Sequence, residues 1–183
     1  MLPSHRLRAL LREHDDPAHL EAPFGHDVPA ARRRFARLVE AMERRFGPSV
    51  TAGGVQDASL LGHVSVPAPA SGTGRPLWVL VSNFGPFVTA GTGKDWGMPD
   101  SGEGIDAAFV AWLDRLCTQL DCVYVPVELL LEPYDGPAAI GDEEIPAEAL
   151  AALTDESGDQ AVDADEAEDE LPTAWWDRYF QFM

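Results

Sequence analysis

Two cysteines, five histidines and 31 carboxylates are the side chains in this 183-residue sequence that could carry chemistry, and their spacing decides which chemistry. Metal ligation needs thiolates or imidazoles that converge in tetrahedral geometry. Cys117 and Cys122 stand five residues apart, on a helix and on the strand after it, with no histidine close by in sequence. His5, His14, His19 and His26 crowd the N-terminal segment, His63 stands apart, and neither HExxH nor CxxC occurs. A Ser or Cys nucleophile needs a neighbouring base. There is no G-x-S-x-G elbow, and Cys117 borders the apolar face of its helix, where a thiol is inert packing. Gly91-Thr92-Gly93-Lys94 superficially resembles a phosphate loop. That loop requires four residues between its glycines and a Ser or Thr after the lysine, and Asp95 follows here. Starting at Asp155, calcium-loop positions one, three, five, nine and twelve fall on Asp155, Ser157, Asp159, Asp163 and Glu166, with Val162 at the apolar position eight. The sharp turn at position six requires glycine, but Gln160 stands there, and acid-rich tracts produce such matches by chance. The expectation is no catalytic residue, no metal and no cofactor.

Charge is the stronger signal. Thirteen basic against 31 acidic residues leave a formal net charge of −18. Nucleic-acid binders neutralise phosphates with Lys and Arg, and anionic membrane surfaces attract basic segments, so neither partner is expected. A basic protein fits better, because an acidic surface speeds encounter and sets specificity; solubility alone is the plainer use of the same charge. Residues 1–47 hold nine arginines and seven acids, whereas residues 128–183 hold 17 acids and one base, Arg178. Asp163, Asp165, Glu166, Glu168, Asp169 and Glu170 are the candidate residues for steering a partner, with Trp96, Trp175 and Trp176 as candidate anchors wherever they are exposed. No signal peptide is expected, because Met1 to Arg12 lacks an apolar h-region. No apolar run approaches the ~20 residues that span a bilayer, and two cysteines make no secreted disulfide framework. The expected compartment is the cytoplasm.

The elements that would position these residues can be read from periodicity. A short helix is expected over Ser4 to Leu20, with Leu7, Leu10 and Leu11 on one side. A clearer helix begins at Asp27 as cap with Pro29 in its first turn, carries Phe35, Leu38, Val39, Met42 and Phe46 at helical spacing, and stops at Gly47-Pro48. Arg32, Arg33, Arg34, Arg37, Arg44 and Arg45 lie mostly off that stripe, giving a basic outer face that is ordinarily solvated or paired with the chain's own acids. Val50 to Ala52 and Ser59 to Val66 read as strands around a Gly53-Gly54 turn, and Pro67 to Pro76 as a loop. Leu77 to Val81 is a continuous apolar run expected to be a buried central strand. After a turn at Ser82 to Pro86, Phe87 to Ala90 returns antiparallel, and Gly91 to Gly104 is a loop. A helix over Ile105 to Leu120, a strand over Cys122 to Val127 that Pro126 places at an edge or ends, and a helix with Glu148, Leu150 and Leu153 complete the body.

Length and order predict one α+β domain over residues 1–183: a mainly antiparallel sheet of about four or five strands with helices packed on it. Residues 154–170 form an acidic tract that buries too little apolar surface to offset ordering and is expected to be mobile. Residues 171–183 form an aromatic tail, expected to dock on the body, since Trp175, Trp176, Tyr179, Phe180 and Phe182 would be a liability if exposed.

The apolar strand entering Ser82-Asn83-Phe84-Gly85 resembles a strand–turn found in small bacterial immunity proteins of polymorphic or type VI toxin systems. The closing Trp176-Asp177-Arg178-Tyr179-Phe180 is similar to their short aromatic tails. The resemblance covers roughly fifteen residues and implies a cytoplasmic antidote that binds and blocks a cognate toxin. An acidic, non-catalytic binding protein fits that expectation. A secretion chaperone or adaptor for an effector, and an enzyme with an unrecognised site, are the alternatives.

Overall fold

The computed structural model describes residues 1–19, 21–54, 59–93, 104–136 and 174–180. At its centre the continuous apolar run forms strand β3 (Leu77–Ser82), buried along its whole length. Trp78 and Leu80 join one core cluster and Leu77, Val79 and Val81 the other. A strand covered on both faces needs apolar side chains at every position, which is why this segment does not alternate.

The remaining strands are β1 (Thr51–Gly54), β2 (Leu60–Val66), β4 (Phe87–Thr92) and β5 (Val123–Tyr124), and the sheet runs β1-β2-β3-β4-β5. Neighbours from β1 to β4 are antiparallel, whereas β4 and β5 are parallel. The parallel pair needs a crossover, supplied by helix α4 (Ala107–Gln119). The class is α+β, with a mixed, mostly antiparallel sheet.

Helix α2 (Val28–Phe46) and α4 cover one face through Leu38, Met42, Phe109, Leu113 and Cys117. The Asp27 carboxylate accepts a hydrogen bond from the Ala30 amide at 2.9 Å and caps α2, while Gly47 ends it at φ 87°, a conformation that favours glycine. Helix α1 (Ser4–His14), the short helix α5 (Val127–Leu130) and helix α6 (Trp175–Phe180) cover the other face. Here Trp78, Phe84, Phe87, Trp175, Trp176, Tyr179 and Phe180 are all buried, and each such side chain contributes about 1.5–3 kcal/mol relative to exposure. Among the described residues, no helix is long and apolar enough to cross a membrane.

Several boundaries differ from the sequence expectation. Helix α1 ends at His14 rather than near Leu20, because Asp15 is extended and its side chain is used elsewhere, as described below. Gly53-Gly54 is not a turn: both residues lie within β1, where Gly53 pairs with His63. The imidazole of His63 lies against Gly53, where a Cβ would sit 2.7 Å from Cε1. The Pro67 to Pro76 segment contains a single helical turn, α3 (Ala68–Ser71). The expected strand over Cys122 to Val127 shrinks to two residues, since Pro126 supplies no amide and instead opens α5. Strand β4 runs on to Thr92, two residues past its expected end. The expected helix around Glu148, Leu150 and Leu153 and the acidic tract at 154–170 lie outside the described residues.

Thr89 of β4 is fully buried, and its Oγ1 has no hydrogen-bond partner among the described residues. Burying an unpartnered hydroxyl costs about 1–3 kcal/mol. Thr89→Val keeps the branched shape and removes the orphan, so it should raise stability by about 1 kcal/mol. A chemical-denaturation midpoint that falls instead of rising would show that the hydroxyl is satisfied in solution.

Candidate functional site

The turn after β3 and the C-terminal aromatic helix meet in space. Phe84, in the turn between β3 and β4, lies edge-on to Tyr179 of α6 with centroids 5.9 Å apart. The Arg178 guanidinium stacks 4.0 Å above the Phe84 ring. Gly85 adopts φ 61°, which lets the chain turn directly after Phe84. Tyr179 also meets Phe87 at 5.2 Å, and Ser82 Oγ donates to the Tyr179 carbonyl at 2.7 Å while accepting from the Phe84 amide.

A buried polar network ties this cluster to the N-terminus. Arg178 Nε donates to Asp15 Oδ1 at 2.7 Å, and the two side chains are only 1% and 2% exposed. Asp15 Oδ2 accepts from the Tyr134 hydroxyl at 2.6 Å. Arg178 Nη2 donates to the carbonyls of Asp16 and His19, and the Tyr179 hydroxyl donates to the Leu11 carbonyl. Burial, then the bond to Asp15, pushes the Tyr134 phenol up, and burial does the same at Tyr179. Both oxygens of Asp15 are therefore occupied, and the phenols are held protonated. Such an arrangement positions elements; it presents no free base.

At the surface beside it, Arg8 pairs with Glu132 and Arg12 with Asp135. The hydrogen bonds from these arginines hold both carboxyls below their ordinary range. A depressed carboxylate adds stability at neutral pH that is lost as pH falls through its folded value, and at exposed positions the contribution is small.

The thiols are not activated. Cys117 is buried in the α2–α4 core, and burial drives its ionisation well up; Cys122 is pushed up to about 11, chiefly by burial. A nucleophilic thiolate needs the opposite shift. Among the described residues, no three metal-ligating side chains cluster. A cavity of about 40 Å³ lies between the end of α2 and the start of α4, lined in part by Arg45, Phe46, Ile105 and Phe109. That is water-sized space.

Of the residues singled out for partner binding, Trp175 and Trp176 are each 2% exposed. Trp175 meets Tyr134 edge-on at 4.7 Å, and Trp176 meets Trp78 at 6.0 Å and stacks on Phe180 at 5.4 Å. Both indoles are committed to the core, so the exposure on which their expected anchoring role depends is absent at these two positions. Trp96 and the six acids Asp163, Asp165, Glu166, Glu168, Asp169 and Glu170 lie outside the described residues. The Asp15–Arg178 pair was missed by sequence reading. Its only local signal is that Arg178 is the one base among the 17 acids of residues 128–183. No protein-family model, curated protein or solved structure matches this chain.

Proposed function

We propose that this chain is a binding protein that captures a basic protein partner, in the manner of an immunity protein or inhibitor that neutralises a toxin. The segregation of charge carries this reading. The described residues contain 12 of the 13 basic and 14 of the 31 acidic side chains and are thus nearly neutral. The surplus of acid falls in the remaining positions, above all within 141–170. A charge concentrated in this way serves electrostatic attraction better than an even coat would. The mutual packing of Phe84, Arg178 and Tyr179 adds support, since both stretches of the resemblance belong to one structural unit.

The test begins by identifying the partner through affinity capture from the native cell and purifying it. Its association rate is then measured by stopped flow over a salt series. Neutralising Asp163, Asp165, Glu166, Glu168, Asp169 and Glu170 to their amides should slow association by about tenfold at low salt and change dissociation little. The difference should shrink with added salt, as exposed charges are screened beyond about 8 Å at physiological ionic strength. An on-rate indifferent to both salt and the six substitutions would mean that the acids serve solubility. Capture of an unfolded effector segment, in place of a folded basic protein, would replace the inhibitor reading with that of a secretion chaperone.

A further inference from the structure

We infer that the outer face of α2, together with the turn that leads into it, is a second and oppositely charged interface, one that docks a carboxylate-rich protein segment bearing an apolar side chain. Arg32, Arg33 and Arg37 are all exposed on that helix, and none has an ion-pair partner among the described residues. The nearest arginine that does, Arg44, reaches Glu40 only at 3.8 Å. The Asp27 carboxylate caps α2, but no acidic side chain follows it in the first turn, so the arginines beyond it stand without a counter-charge within that turn. Arg33 and Arg37 also stand one turn apart, a spacing at which like charges repel. The isolated helix is worse off for this arrangement, and an anionic partner would reverse the penalty.

The second observation is apolar. Phe24 is 86% exposed and Val28 40% exposed. Phe24 does not dangle: its amide donates to Asp16 Oδ2 at 2.8 Å, and its ring lies 6.0 Å from that of His19. The turn thus fixes its backbone while most of the side chain stays in water. Val28 opens α2 and shares a face with Arg32 one turn later. Aromatic and arginine side chains together are the composition that dominates binding energy at protein interfaces, and here an exposed phenylalanine precedes the exposed arginines in the chain.

The apolar pair selects between possible anions. Guanidinium forks match carboxylates and phosphates alike. Duplex nucleic acid would meet the arginines with phosphates and offer Phe24 and Val28 nothing to be buried against. An acidic protein segment satisfies both halves of the surface. This interface uses residues different from those proposed to steer a basic partner, so either can fail alone.

The experiment uses the full chain and two fluorescent probes, a short glutamate-rich peptide with one leucine per helical turn and a DNA duplex of comparable charge. Anisotropy titration should show saturable peptide binding that weakens about tenfold or more in Arg32→Glu/Arg33→Glu/Arg37→Glu and a few-fold in Phe24→Ala. All four positions are exposed, and circular dichroism checks that the variants stay folded. Peptide binding that is absent, or unchanged in the triple variant, overturns the inference. Tighter binding of the duplex than of the peptide, lost in the same variants, would reassign the face to nucleic acid. A wild-type dimer that the triple variant dissociates, seen by sedimentation, would reassign it to a second copy of this chain.

Discussion

Asp15→Ala should destabilise the fold by about 3–5 kcal/mol, because it leaves the Arg178 guanidinium buried without its counter-ion. The pair spans 163 positions of sequence and joins the end of α1 to α6. For a chain of this length each kcal/mol shifts the melting temperature by about 2–4 °C, so the midpoint should drop by ~10 °C. The Tyr134 hydroxyl would lose its acceptor as well, adding to the loss. The informative comparison is Asp15→Ala/Arg178→Met. Removing both charges leaves no unpaired ion, and replacing a buried pair with apolar groups is often close to neutral. The double variant should therefore be more stable than Asp15→Ala alone, with a coupling energy of about 2–3 kcal/mol. A loss under about 1 kcal/mol in the single variant, or additive behaviour in the double, would show that water reaches Arg178 and that the pair is not what seats α6.

That pair marks the limit of what sequence patterning conveys. Local signals work where one residue's neighbours determine its conformation. Asp27, Pro29 and Gly47 define the ends of α2, and the apolar run from Leu77 to Val81 defines the central strand, because capping, fixed φ and burial on both faces are properties of short segments. The same logic fails at Gly53-Gly54. Glycines read as a turn, but here the absent side chain makes room for His63 on the next strand, a cross-strand demand that no local window contains. It fails also for the acids. With 31 carboxylates in the chain, nothing in the spacing distinguishes Asp15, buried against Arg178, from those that face water. Trp175 and Trp176 sit between the two cases. Their apolar character is plain in the sequence, and only the fold shows that Trp78 and Tyr134 consume it.

Gly91→Ala should be the most disruptive single-methyl change in the sheet, costing about 3 kcal/mol, at the upper end of what overpacking usually costs. Gly91 of β4 is paired directly with Trp78 of β3, and the indole occupies the space a side chain at residue 91 would need. A Cβ at residue 91 would stand 2.5 Å from Cε2 of Trp78 and closer still to Cζ2 and Cη2. The indole cannot lift away cheaply, since it is 2% exposed and roofed by Trp176, which in turn stacks on Phe180. The backbone at this point is held on one side, where Gly91 pairs with Trp78, while β5 pairs only with Phe87 and Val88 at the start of β4. Strain introduced at one methyl would therefore reach α6 through the Trp78–Trp176 contact, and near-ultraviolet circular dichroism of the tryptophans should weaken along with the denaturation midpoint. Trp78→Leu in the wild-type background should itself be destabilising, by about 2–4 kcal/mol for the volume removed. In the Gly91→Ala background it should cost much less, since the leucine vacates the space the methyl needs. A coupling of about 1–3 kcal/mol between the two substitutions is expected. Strict additivity would mean that β4 shifts to accommodate the methyl, and that the indole does not hold it in place.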